Sequence, residues 1–367
     1  MTALIAATAS TTPALCDNVG DLESRNSGYE TTVVDEFPEL EEVWAPYGEP
    51  DALSPFEVKK ARFEQTEAEW IEADTDSIFV SCRETRPSGK RIIITHVLVA
   101  DPTTQVKVGE SNDAFGGERE RTSDFAKRTG ATVATNGSYF YYETGQPIDA
   151  CAPVVLLDGK AVRPGKSNGS EICLRLDGSF FSPHPSIGFT NEDLANLGVI
   201  SILGTADPLL ISDGVPQTFP SGVSGAVYPR TAIGVVCPGE YYLITAGNDG
   251  SYDGGLSYVQ MRTIFWKLGC VYARSLDGGG SVSLAVNGEL RNVPAGGSER
   301  PVVDFLAFYD AANVPTNEAT VDPNGFSTEA DESDRAKFLA QVATESSSES
   351  EGGIEGRIAN LSKTAGN

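Results

Sequence analysis

Short runs rich in β-branched and aromatic residues, each long enough for one strand and closed by turn residues, recur through the middle of this 367-residue chain and argue against a helical bundle. They fall at residues 91–100, 131–135, 154–157, 172–176, 231–236, 241–246, 271–275, 282–286 and 302–309. Asp158-Gly159 and Asn287-Gly288 are hairpin dipeptides, because both central residues of the tightest strand-to-strand turn take positive φ. Within this middle region helical periodicity is confined to 122–128 and 258–268, the latter bounded by Ser257 as N-cap and Gly269 as stop, and ahead of it a further helix is expected at 55–70. The pattern predicts an α+β fold: a mixed β-rich core with few helices.

Hydrophobic residues make up 40% of the chain, with 16 Phe, 12 Tyr and 3 Trp, which is enough for a substantial core. No apolar run reaches the length of a membrane span. A formal charge of −25 repels phosphate backbones and anionic lipid surfaces, so no nucleic-acid partner is expected. Much of the acidity lies in 35–76 and 329–355, which divides the chain into an acidic N-terminal extension (1–75), a body (76–312) and an acidic, Ser/Glu-rich tail (313–367) too polar to bury a core. Within the tail, 333–344 fits one short amphipathic helix. The six cysteines are scattered with no close pair, which argues against structural zinc and leaves disulfides and buried thiols both open. Met1 to Cys16 lacks the basic start and long apolar stretch of a secretory leader, pointing to a cytoplasmic or phage-borne protein, with extracellular action left open.

Chemistry-bearing residues concentrate at Leu276-Asp277-Gly278-Gly279-Gly280-Ser281, where one carboxylate stands beside three glycines that let the backbone approach a ligand. Taken alone, such a string is more often a glycine turn in which the Asp caps its own backbone. It is accompanied by Thr135-Asn136-Gly137-Ser138-Tyr139-Phe140, by Pro208-Leu209-Leu210 with Asp213-Gly214, by Pro229-Arg230-Thr231-Ala232-Ile233-Gly234 and by Glu299-Arg300-Pro301-Val302. Together and in this order, over roughly 91–309, these segments resemble the phosphodiester glycosidase domain family. The resemblance implies that family's β-rich α+β fold and hydrolysis of a sugar-1-phosphodiester, as from N-acetylglucosamine, in a glycoconjugate or a surface polymer. It implies no cofactor.

A sugar-1-phosphodiester already carries a good leaving group, so its cleavage needs anion stabilisation and support for an oxocarbenium-like centre more than strong acid catalysis. In that context Arg230 and Arg300 are expected on the phosphate, whose oxygens match guanidinium forks, with the N–H groups of Gly278, Gly279 and Gly280 beside them. Asp277 is expected to act at the anomeric carbon as nucleophile or general base, with Glu299 or Asp249 as a second carboxylate. Asn136 is expected to hydrogen-bond the sugar. Of Tyr139 and Phe140 at least one belongs to the core, because strand neighbours face opposite sides. His96, on an apolar strand, reads as a core histidine, and His184 sits in a proline-flanked loop; neither suggests a metal or a serine-type triad. Ser251 stands where relatives often carry an Arg after Asp-Gly, which opens substrates other than N-acetylglucosamine. The same departure keeps a second reading in play: a non-catalytic module binding carbohydrate or phosphopolymer, such as a phage structural or receptor-binding component.

Overall fold

The computed structural model describes residues 55–61, 63, 69–86, 89–140, 152–219, 226–247, 250–252 and 254–315. The helix expected at 333–344 lies outside them, as do Cys16, Cys151 and Asp249. An eight-stranded sheet runs in the order Glu69–Asp74, Ile78–Thr85, Ile92–Val99, Glu240–Ala246, Arg230–Cys237, Tyr272–Ser275, Leu209–Ser212, Val215–Pro216. A five-stranded sheet has the order Glu289–Leu290, Leu284–Val286, Val133–Asn136, Asp304–Phe308, Val106–Glu110. Neighbours in both sheets pair antiparallel.

Period-2 alternation decides which face each strand gives to which layer. Ile78, Val80, Ile93 and Val97 of the larger sheet share one core cluster with Val108, Val133, Leu306 and Phe308 of the smaller, so the two sheets enclose the main core between them. On the other face of the smaller sheet, Ala134, Ala285, Phe305 and Ala307 pack with Phe125 of the Thr122–Thr129 helix, and the Phe125 and Phe305 rings stack at 4.1 Å. The larger sheet is covered in part by the Tyr258–Lys267 helix, where Gly234 leaves room for Phe265. That helix begins with a capping box between Ser257 and Gln260, and Gly269 follows it at φ 75°. Positive φ at Asp158-Gly159 and Asn287-Gly288 matches their hairpin role. The result is the expected β-rich α+β architecture.

The segment expected as a helix over 55–70 differs. Among the described residues of that segment Pro55–Ala61 is helical, and from Glu69 the chain is an edge strand. A tertiary grip accounts for it: Trp70 Nε1 donates to Glu72 Oε1 at 2.7 Å, and Arg291 holds both Glu72 oxygens at 2.6 and 2.7 Å. The sheet therefore begins before the boundary expected at 75. The four described cysteines form no disulfide among the described residues. Among the described residues no helix is long and apolar enough to cross a membrane.

Candidate functional site

Strand ends of the larger sheet converge on an open cleft of about 270 Å³ lined by Tyr139, Asp207, Tyr228, Arg230, Asp277, Gly278–Gly280 and Arg300. Asp277 follows the Tyr272–Ser275 strand, and Arg230 opens the neighbouring strand, where Ala232 pairs with Ser275. Two of the expected residues, 47 positions apart in sequence by subtraction of their numbers, thus meet because their strands are hydrogen-bonded neighbours.

Asp277 is nearly buried, and burial is the main reason its carboxyl is pushed up to about 7; the negative charge of Asp207 adds to the rise, while hydrogen bonds from Ser281 and the Gly278 N–H and the charge of Arg300 oppose it. Gly278 N–H donates to Asp277 Oδ1 at 2.9 Å, so the residue does cap its own turn while facing the cleft. Gly279 N–H donates to the Pro229 carbonyl at 2.8 Å. Two of the three amides expected to meet an anion are therefore committed inside the protein.

Arg230 Nη1 donates to Asp207 Oδ2 at 3.2 Å and to the Tyr258 hydroxyl at 2.5 Å, and its guanidinium lies 4.0 Å from the Tyr258 ring centroid. Tyr258 in turn donates to Asp207 Oδ1 at 2.6 Å, and Ser275 Oγ donates to Oδ2 at 3.0 Å. Burial and the Asp207 charge raise the Tyr258 phenol, which keeps it a donor. Arg230 Nε is buried without a hydrogen-bond partner among the described residues, an orphaned donor at the cleft. Arg300 Nη1 donates to Ser281 Oγ at 3.2 Å. Its guanidinium and the Tyr252 hydroxyl occupy the space a side chain at Gly280 would need.

Other expected residues sit elsewhere. Asn136 is fully buried: its Nδ2 donates to the Asp277 carbonyl at 2.8 Å, and its Oδ1 accepts from Thr231 Oγ1 at 2.8 Å and Ser283 N at 3.1 Å. It braces the cleft floor and does not line it. Glu299 gives both oxygens to Ser123, accepting from its N–H at 2.8 Å and its hydroxyl at 2.6 Å, and so anchors the first turn of the Thr122–Thr129 helix. Phe140 is in the core and Tyr139 is exposed at the cleft, so the two neighbours face opposite sides although the strand itself ends at Asn136. His96 Nε2 lies 3.1 Å from buried Glu240 and its ring stacks on Tyr242, and His184 Nδ1 lies 2.7 Å from Ser186 Oγ. Asp207, Tyr228 and Tyr258 were not legible as site residues. The signal available was adjacency, with Asp207 and Tyr228 each standing just before a motif that begins with proline.

A family model described as phosphodiester glycosidase matches residues 129–309. The SPbeta prophage-derived protein YomE of Bacillus subtilis is 28% identical over 166 residues, covering 38% of this chain and 26% of that protein. The N-acetylglucosamine-1-phosphodiester alpha-N-acetylglucosaminidase of Mus musculus is 27% identical over 214 residues, covering 54% of this chain and 40% of the mouse protein. The Bos taurus enzyme of that name is 26% identical over 191 residues, covering 48% and 35%. The chain thus spans well under half the length of these relatives. Among solved structures, the catalytic domain of the zebrafish enzyme of the same name aligns with a TM-score of 0.49 at 21% identity, covering 75% of this chain and 99% of that domain. Residues 129–309 of this chain thus carry the sequence match to the phosphodiester glycosidase family, with distant similarity to the mouse and bovine enzymes.

Proposed function

We propose that the cleft hydrolyses a glycosyl-phosphodiester, with the phosphate lodged between Arg230 and Arg300 and the anomeric carbon presented to Asp277. The observation that carries this reading is the meeting of two carboxylates, Asp277 and Asp207, with two guanidiniums beside one glycine turn. Bidentate guanidinium contacts suit a phosphodiester, and the orphaned Arg230 Nε supplies a donor ready for one of its oxygens. Asp277 acts as general base on a water at the anomeric carbon, since a carboxyl near 7 combines useful basicity with a populated ionised form at neutral pH. Asp207, steadied by Arg230, Tyr258 and Ser275, supports the positive charge that develops on the sugar. Tyr139 and Tyr228, partly exposed at the cleft, offer faces for the sugar ring. Release of reducing sugar from a chromogenic sugar-1-phosphodiester tests the proposal. Saturable binding of such a compound without turnover would favour the binding-module reading instead.

A further inference from the structure

Behind the cleft lies a second acidic pair that the reaction does not use. Asp304 opens one strand of the smaller sheet and Glu110 ends its neighbour, and the two are directly opposite in register. Alternation places both on the side of Leu306, Phe308, Val106 and Val108, towards the core between the sheets, and only 2% of Asp304 and 5% of Glu110 is exposed. Cross-strand partners have Cβ atoms about 4.5–5.5 Å apart, and like charges so placed repel. The nearby cation is Arg163, whose Nη1 donates to the Ala152 carbonyl at 2.6 Å.

Asp304 holds one short turn at every available point. Its Oδ1 accepts from Ser138 N–H at 2.5 Å, its Oδ2 accepts from the Ser138 hydroxyl, and its carbonyl accepts from Gly137 N–H at 3.0 Å. Gly137 is obligatory there, since a Cβ would strike Asp304 Oδ1 and Leu203. The turn then reaches the cleft twice. The Gly137 carbonyl accepts from Asp277 N–H at 3.0 Å, and the next residue after Ser138 is Tyr139 on the cleft wall.

We propose that Asp304 is a positioning residue for the cleft, acting through the Gly137-Ser138 turn on Asp277, and that Glu110 carries the proton that lets the two carboxyls be buried side by side. The proposal rests on the reading of the cleft as the active site. Burial raises both groups, Asp304 to about 6 and Glu110 well above the usual carboxylate range, with the Asp304 charge adding to the rise at Glu110 and Arg163 opposing it. Asp304, which accepts from both the Ser138 N–H and the Ser138 hydroxyl, is assigned the charge, and Glu110 the proton.

Two measurements on the full chain test the proposal without requiring turnover. Infrared spectroscopy at pH 8 should show the carbonyl band of a protonated carboxylic acid, lost in Glu110→Gln; no such band, or one that survives the substitution, overturns the shared-proton half. Carboxyl carbon NMR of ¹³C-labelled aspartate should show the Asp277 midpoint displaced in Asp304→Asn, whose amide cannot accept from both Ser138 groups, and unchanged in Glu110→Gln. An unmoved Asp277 midpoint in a folded Asp304→Asn protein overturns the positioning half. Should Asp304→Asn fail to fold, Ser138→Ala removes the hydroxyl contact alone and must displace the same midpoint, or the proposal falls. On a chromogenic sugar-1-phosphodiester, Asp304→Asn should lower kcat roughly tenfold with KM little changed. Failure of the wild type to turn over any such substrate would sink the hydrolase reading while leaving both spectroscopic results to decide this one.

Discussion

The side-chain amide of Asn136 donates to the backbone carbonyl of Asp277 at 2.8 Å, so the residue expected to touch sugar instead fixes the peptide that carries the cleft carboxylate. Its Oδ1 simultaneously ties down Thr231 and Ser283. Replacing Asn136 with Ala leaves buried groups unpaired on three segments, and should destabilise the fold by about 1–3 kcal/mol. It should also lower kcat more than it raises KM. Urea unfolding and steady-state kinetics on a sugar-1-phosphodiester check both parts, and a large KM effect with unchanged kcat would return Asn136 to a direct sugar contact.

Asn136 also shows where sequence reading stops. The regular parts of the fold were legible because alternation, capping residues and hairpin dipeptides are local signals: Ser257 with Gln260 and Asn287-Gly288 act as their spacing predicts. The strand at Glu69–Asp74 was not, because its place depends on a guanidinium 219 residues away at Arg291. The site divides the same way. Motif order brings Asp277, Arg230 and Arg300 to one cleft, but nothing local separates a residue that lines a cleft from one that braces it, so Asn136 and Glu299 read as contacts and Asp207 was passed over.

The raised carboxyl of Asp277 predicts a pH profile. With a midpoint near 7, a general base is idle when protonated below that pH and active above it, so kcat/KM should rise through pH 7 and lose this limb in Asp277→Asn. The variant should lose roughly 10² to 10⁴ in kcat while keeping most of its affinity. Stability should move the other way. A carboxyl higher in the folded than in the unfolded state costs stability in full above its folded value and nothing below its unfolded value near 4. Asp277→Asn should therefore raise Tm at pH 9 and leave it unchanged at pH 3, and a profile that falls through pH 7 would make Asp277 an acid.

Tyr258 links the second carboxylate to a guanidinium, accepting from Arg230 at 2.5 Å and donating to Asp207 at 2.6 Å. Tyr258→Phe keeps the ring under the guanidinium and removes only the hydroxyl, so the fold should persist while two charge-assisted hydrogen bonds are lost. The expected loss in kcat/KM is roughly 10- to 100-fold, the scale of one hydrogen bond to a charged group, because Arg230 and Asp207 still pair directly when the hydroxyl is gone. Unchanged kinetics would show that Asp207 and Arg230 hold their places without it.

Truncation separates the acidic extension from the sheet. Beginning the chain at 76 removes the edge strand Glu69–Asp74 along with its Glu72–Arg291 pairing, and should lower Tm clearly relative to a chain beginning at 64. Equal melting temperatures for the two chains would show the edge strand to be dispensable.

Two glycines of one turn should fail differently when each is changed to alanine. At Gly278 the new Cβ would lie 2.7 Å from the Pro229 carbonyl oxygen, which is backbone and accepts from Gly279 N–H, so the turn itself must shift. At Gly280 the obstacles are the Arg300 guanidinium and the Tyr252 hydroxyl, both far ends of flexible side chains that can swing away. Gly278→Ala should therefore lower Tm and kcat together, a steric cost of about 1–3 kcal/mol. Gly280→Ala should keep its Tm, because neither glycine needs a left-handed backbone and the groups displaced are the side-chain ends of Arg300 and Tyr252. Its cost should appear in KM for a phosphodiester, with the largest effect at low ionic strength, where a guanidinium on phosphate contributes most. Thermal melts and KM values at two salt concentrations decide the matter, and a Gly280→Ala protein with wild-type KM would remove Arg300 from the phosphate.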